Sequence, residues 1–259
     1  MSAEIQASRR DATLILTISN PGSCNALHPD MFAAAIETLT TAERDQSIRM
    51  VVLTGADECF CGGGNFLRLL ENRNRDRQQQ ADNHDLLRSW IEAIRDCPKP
   101  VIAAVDGMAA DGGFSLALAC DMIVAGRSAK FSMSHSTIGL TPEGGGAWFL
   151  LRALPRQLAS EILLQGTPIP APRLHELGLV NRLVLDGQAL DSALDWADEL
   201  GALSPNALET IKSLLRDNPA TTLEQHFVTE KQYFLESLYH RDAQEGLAAL
   251  MEKRPPVFK

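Results

Sequence analysis

Residues 101–125, VIAAVDGMAADGGFSLALACDMIVA, decide how the rest of the chain is read. Five apolar residues lead into DGMAADGG, FSLALAC follows, and MIVA closes the stretch with a second apolar run. Short apolar runs bounded by turn residues are buried strands, so the pattern is strand, turn, short helix, strand. Gly112 and Gly113 fall where the turn becomes the helix. The first amides of a helix lack intrahelical partners and stand at the positive end of its dipole. Such a turn can hold a developing oxyanion. A glycine pair alone is equally accounted for by close packing of backbone on backbone.

On the N-terminal side, EIQASR and ATLILTIS alternate within residues 4–19 around Arg10-Asp11 and predict a β-hairpin. NPGSCNALHPD is turn-rich and leads through Pro29-Asp30 into a helix over Met31–Arg44. Met50–Thr54 is a buried strand, and CFCGGGNF is a second glycine turn. The Arg- and Gln-rich stretch from Asn72 to Asp82 has little apolar surface to bury and is predicted to be mobile. An amphipathic helix over Leu86–Cys97 then stops at Pro98.

On the C-terminal side, KFSM at Lys130–Met133 is a short strand. SHSTIGLTPEGGGAWFLLRAL runs through a third glycine turn into a helix, with Thr141 as N-cap, Pro142 at the first helical position and Glu143 in the first turn. From Pro155 onward the pattern is helical apart from a short strand at Leu179–Leu185. The expected class is α/β, with a core over residues 1–200 and a helical C-terminal region over 201–259.

With 259 residues, 45% apolar and 22% charged, the chain has the composition of a globular domain with a substantial core. Its net charge of −9 speaks against a nucleic-acid groove, and an anionic ligand would need local Arg, Lys or helix N-termini. Five cysteines form no recognisable framework, and the Cys59–Cys61 spacing suits neither a bridge nor a CxxC site. Free thiols in a reducing compartment are expected. No metal ligand set, signal peptide or membrane-spanning run stands out, so the expected setting is cytoplasmic, with neither nucleic acid nor membrane as partner.

Three glycine turns, each reached from an apolar strand, can meet at one sheet edge: Cys61–Asn65, Ala110–Gly113 and Thr141–Gly146. None is a GxxxxGK[ST] or strand-borne GxGxxG nucleotide motif. Together with their neighbours they resemble the crotonase superfamily, the enoyl-CoA hydratase/isomerase family. The resemblance rests on NAL at Asn25–Leu27, FCGGGNF at Phe60–Phe66, KPVIAAVDG at Lys99–Gly107 and GGFSLALACDMIVA at Gly112–Ala125. It continues through IGLTPEGGGAWFLLRAL at Ile138–Leu154, LGLVNRLV at Leu177–Val184 and EKRPPVF at Glu252–Phe258, so it spans nearly the whole chain.

The resemblance implies a crotonase-like ββα spiral core, an acyl-CoA thioester as substrate and no cofactor beyond the coenzyme A it carries. It implies a homotrimer or dimer of trimers, packed through the C-terminal helices. The amides of Gly64 and Gly112 would bind the thioester oxygen, stabilising an enolate. Asn65 and Asp111 depart from the family's usual Asp and Gly, and Asp111 is expected to N-cap the helix starting at Gly112. The two hydratase glutamates fall at Ser115 and His135, so both are missing, and Glu143 is left as the carboxylate, as in the isomerase branches.

A single base can remove a proton at C2 and return it at C4. An isomerase is therefore the expected activity, with a hydratase using an atypical base, a Glu143-nucleophile hydrolase or dehalogenase, and a non-catalytic CoA binder as alternatives. For the nucleophile route His84 is the one histidine available, and the sequence puts it beside the mobile stretch. Substrate contacts are expected at Asn25, Ala26, Leu27, Cys61, Gly62, Gly63, Phe66, Met108, His135 and Trp148. Trp90, Phe114 and Phe149 are further candidate walls for a bulky or cyclic acyl group, and Arg68 or a neighbour's Lys253 are candidates for the CoA phosphates.

Overall fold

A computed structural model describes residues 3–74, 76–217 and 221–258, the side chain of 217 excepted. The hairpin forms as expected, β1 (Glu4–Arg10) against β2 (Thr13–Ser19), and α1 (Pro29–Arg44) follows with β3 (Met50–Gly55). Two helices, α2 (Phe66–Asn72) and α3 (Arg77–Asp96), precede β4 (Val101–Val105), β5 (Met108–Ala110), α4 (Gly112–Ala119) and β6 (Met122–Gly126). Next come β7 (Lys130–Ser132), a 3-10 turn at Ser134–Ile138, α5 (Gly146–Ala153), α6 (Arg156–Gln165), β8 (Ile169–Pro170), α7 (Ala171–Glu176) and β9 (Arg182–Val184). Four helices close the chain: α8 (Ala189–Gly201), α9 (Pro205–Asp217), α10 (Leu223–Leu238) and α11 (Arg241–Glu252).

Six strands form one sheet in the order β1-β2-β3-β4-β6-β9, parallel from β2 onward, and β5-β7-β8 form a smaller one. Each turn of the spiral places a strand in the large sheet, crosses to the small sheet, and enters a helix. Cys61 supplies the small-sheet step after β3 through a bridge to Ala109, β5 supplies it after β4, and β7 after β6.

The apolar runs are continuous because both faces of the large sheet are covered. Val51, Leu53, Val101, Ala103, Val105, Ile123 and Ala125 face the main core. Met50, Val52, Ile102, Ala104 and Val124 face the opposite way, onto Ala189, Ala193, Leu194 and Ala197 of α8. The apolar positions of α8 are thus spent on its own sheet. In α9, Lys212 is buried, and its Nζ meets Asp121 Oδ2 at 2.7 Å and the carbonyls of Ile94 and Lys99 at 3.1 Å. By contrast, Phe227, Val228, Phe234, Leu235, Leu247 and Leu250 of α10 and α11 are exposed. Among the described residues no helix is long and apolar enough to cross a membrane.

Two expectations need correction. The polar stretch after Asn72 is not irregular throughout: α3 begins at Arg77, capped by Asp76, whose side chain accepts the Gln78 amide at 3.0 Å. Leu87, Trp90, Ile91 and Ile94 pin the C-terminal half of that helix in the core, and the polar residues extend it outward. The cysteines are not all free either. Cys24 and Cys59 are disulfide-bonded, with Cα atoms 5.5 Å apart, because the loop after β2 folds back along the segment after β3. Spacing along the chain carries no trace of that contact.

Cys61, Cys97 and Cys120 are free and buried, and burial pushes the Cys61 thiol up to about 12 and raises the other two. A thiol that stays protonated is a poor nucleophile. A disulfide-exchange thiol reagent at mildly alkaline pH is therefore expected to count no thiol in the folded, unreduced protein. It should count three after unfolding and all five after unfolding with reduction.

Candidate active site

The three glycine turns do converge. Gly113 sits so close to the preceding strand segment that a Cβ on it would lie 2.5 Å from the Cys61 carbonyl oxygen. Only glycine admits that approach. The segment is paired on both sides: the Cys61 amide donates to Met108, the Ala110 amide to Cys61, and the Leu27 amide to Gly63 at 2.7 Å. Gly64 and Gly112 are thereby brought to one point. Among the described residues neither of their amides donates to a protein acceptor.

Glu143 stands opposite both. Its Oε1 lies 3.7 Å from where a Cβ on Gly64 would be and 3.1 Å from where one on Gly112 would be. The carboxylate is not in a helix, contrary to expectation. Thr141, Pro142 and Glu143 are irregular, and α5 starts at Gly146 with Gly145 as a left-handed N-cap. What fixes the turn is Ser115, fully buried in α4, whose hydroxyl donates to the Glu143 carbonyl at 2.7 Å. Gly144, at φ +61°, leaves only the room that Ser115 allows, since a Cβ there would be 2.9 Å from the Ser115 Cβ.

Asp111 also departs from its expected role. It precedes α4 but makes no side-chain cap there. Instead its carboxylate, buried, accepts from the Ser134 amide at 2.6 Å and the Ser134 hydroxyl at 2.8 Å, and so caps the next turn of the spiral. His135 is buried beside it, Nδ1 3.2 Å from Asp111 Oδ1. Asp111 holds φ +51°, ψ −117°, a conformation glycine adopts freely and other residues adopt only under constraint. Those bonds supply the constraint.

His84 belongs to α3, and its Nδ1 is 3.6 Å from Glu143 Oε2. Two adjoining hollows open here. One, of about 60 Å³, lies between Leu27, Phe32, Arg68 and Glu143. The other, of about 470 Å³, runs from Asp111, His135 and Glu143 past Phe66 and Leu140 to Arg73 and Arg77.

Of the expected contacts, Gly64, Gly112, Glu143, His135, Leu27 and Phe66 meet at these hollows. Gly62 and Gly63 belong to the same segment, and the Gly62 amide donates to the Cys24 carbonyl at 2.7 Å. Cys61 is buried beneath it. Asn25 turns its side chain onto its own scaffold, donating to the Ala56 and Cys59 carbonyls, and Ala26 is buried with its carbonyl taken by Asn20.

The aromatic walls are a correction. Trp148 lies outside, with the Arg152 guanidinium 3.7 Å from its ring centre, and Met108 lines neither hollow. Trp90 and Phe114 are fully buried core, and Phe149 packs partly buried against the core. Lys253 ends α11 as its left-handed C-cap, away from both hollows. The wall also includes Leu69 and Leu140, and Asn72, Arg73, Arg77 and Gln80 from the segment expected to be mobile. Among the described residues no group of His, Cys, Asp and Glu could hold a metal ion.

A family model described as enoyl-CoA hydratase/isomerase matches residues 9–259. The chain is 32% identical to the 2,3-dehydroadipyl-CoA hydratase of Escherichia coli, covering 99% of each. It is 34% identical to the 1,2-epoxyphenylacetyl-CoA isomerase of Escherichia coli, covering 95% of this chain and 94% of that protein. The crystal structure of an enoyl-CoA hydratase from a Polaromonas species superposes with a TM-score of 0.97 at 50% identity, covering 99% of this chain and all of that one.

Replacing Asp111 by Ala would orphan the Ser134 amide in a buried site. An orphaned buried donor costs roughly 1–3 kcal/mol. In a chain of this size that corresponds to a fall in Tm of roughly 2–12 °C, read by calorimetry. Asp111→Asn, which keeps one acceptor, should lose less.

Proposed function

The chain belongs to the enoyl-CoA hydratase/isomerase family, and within it we propose an acyl-CoA isomerase that moves a double bond from the 3,4 to the 2,3 position with Glu143 as proton shuttle. The observation that carries this reading is the position of Glu143 Oε1 against both Gly64 and Gly112. A thioester oxygen held by those two amides would present its C2 hydrogens to that carboxylate. Glu143 takes the C2 proton as the electron pair moves onto the thioester oxygen. Donors fixed in advance at such an oxygen typically contribute several kcal/mol each. The same carboxylic acid then gives its proton to C4, and the electrons return to form the conjugated thioester. No water is consumed.

Against hydration stand the two positions where the family carries glutamates. Ser115 has its hydroxyl committed to the Glu143 carbonyl, and His135 is shut in beside Asp111. Neither is a carboxylate, and Glu143 is the one set against both Gly64 and Gly112. No cofactor enters, since coenzyme A arrives with the substrate. We further infer a cytoplasmic homotrimer or dimer of trimers, with residues 201–259 as the packing region. The exposed apolar residues of α10 and α11 support that inference.

His84 favours a second reading. At 3.6 Å from Glu143 Oε2 it could activate a water against an ester of Glu143, so a nucleophilic, hydrolytic route is open. Intact-protein mass spectrometry during a single turnover separates the two, because only the second adds the acyl mass to the chain.

With a 3-enoyl-CoA, absorbance should report conjugation while product mass stays that of the substrate. Glu143→Gln should lower this turnover by roughly 10²–10⁴-fold, the range of a lost general base, without lowering Tm. Mass gain of one water on a 2-enoyl-CoA, undiminished in Glu143→Gln, would sink the isomerase reading.

A further inference from the structure

The larger hollow has a mixed character. Near Glu143 its walls are apolar, from Phe66, Leu69 and Leu140, as an acyl chain requires. At its other side stand Arg73 and Arg77, with Arg68 lining the adjoining small hollow. All three lie within ten residues, on α2, just after it, and at the start of α3. Arg68 Nη1 is buried and has no hydrogen-bond partner. Neither is any of the three in an ion pair with a carboxylate among the described residues, although the chain carries nine more acidic than basic charges. Arg173, Arg182 and Arg254, by contrast, are paired with Glu176, Glu199 and Glu245.

We propose that the acyl group bound in this hollow ends in an anionic group, most simply a carboxylate, met by Arg73 and Arg77, with Arg68 adding positive charge from the adjoining small hollow. The proposal rests on the reading of the site as an acyl-CoA site and deepens it. A neutral alkyl chain would leave the Arg73 and Arg77 guanidinium groups that line this hollow without an anionic acceptor. A terminal carboxylate supplies the missing acceptor in a charge-assisted bond, for which the guanidinium fork is suited. The two acidic groups in the hollow, Glu143 and Asp111, lie at the reacting end. A second anion is tolerated only away from them and needs its own countercharge. The three arginines provide it in a protein whose overall field repels anions.

The test uses the full-length protein and saturated thioesters, so that binding is read without chemistry. Calorimetry would compare ω-carboxyacyl-CoA thioesters with alkanoyl-CoA thioesters of equal length, and with free coenzyme A. At the best length the carboxylate should bind at least about tenfold more tightly, equivalent to roughly 1.4 kcal/mol. The ratio should fall toward one in Arg73→Gln/Arg77→Gln, in Arg68→Met, and at high salt.

Equal or tighter binding of the alkanoyl series overturns the proposal. So does an equal loss of free coenzyme A in the arginine variants, because the arginines would then meet the nucleotide phosphates. If no thioester of either series binds, the acyl-CoA reading itself is at fault. A site that binds both series without preference leaves that reading intact and refutes only the anionic terminus.

Discussion

Everything at this site hangs on one close approach, the backbone of Gly113 against the carbonyl of Cys61. Two successive turns of the spiral touch there without a side chain between them. The contact is reinforced by the paired amides of Cys61 and Ala110, which weave the segment after β3 into the edge of β5. Once those are fixed, Gly64 and the first residue of α4 are held beside the same carboxylate oxygen of Glu143. Preorganisation of this kind costs nothing at the moment of reaction, because the order was established on folding. The oxyanion pair proposed for Gly64 and Gly112 would thus be a consequence of how tightly the core closes.

The third turn is tied to the first two by Ser115. Its hydroxyl, on α4, grips the carbonyl of Glu143, so the helix that offers the Gly112 amide also positions the opposing carboxylate. A serine where a hydratase would carry a glutamate is more than a deletion. It brackets the turn that carries Glu143. Asp111 makes a comparable exchange: its strained backbone gains bonds to Ser134, locking α4 to the turn that carries His135. Both side chains tie neighbouring turns of the spiral together, Ser115 through the Glu143 carbonyl and Asp111 through Ser134.

The sheet and the three turns were legible because both depend on local pattern. Apolar runs such as MVVLT and VIAAV announce strands buried on both faces, and glycines between strand and helix announce close approaches. The roles of Asp111 and Ser115 were not legible, since both are set by partners more than twenty residues away, Ser134 and Glu143. The Cys24–Cys59 contact failed for the same reason. Trp148 was misplaced because α5 begins at Gly146, three residues beyond Glu143, which turns its face outward. The polar start of α3 does not read as helix because its stability is borrowed from Leu87, Trp90, Ile91 and Ile94 further along the same helix.

That borrowed stability separates two jobs. The amides proposed to hold the thioester oxygen sit on α4 and the segment around Cys61, both packed into the core, and Glu143 sits on a half-buried turn that Ser115 of α4 holds. The wall that meets the acyl group sits on α2, which buries no residue, and on the outer half of α3. Changes in a segment with few buried contacts disturb stability little, whereas changes around Gly113 propagate into the core. An acyl-CoA scaffold can therefore be re-aimed at a different acyl group by altering residues such as Phe66, Arg73 or Gln80 while the oxyanion amides stay where the core holds them. The arginines of this wall lie on such a segment, where the fold neither needs nor resists them.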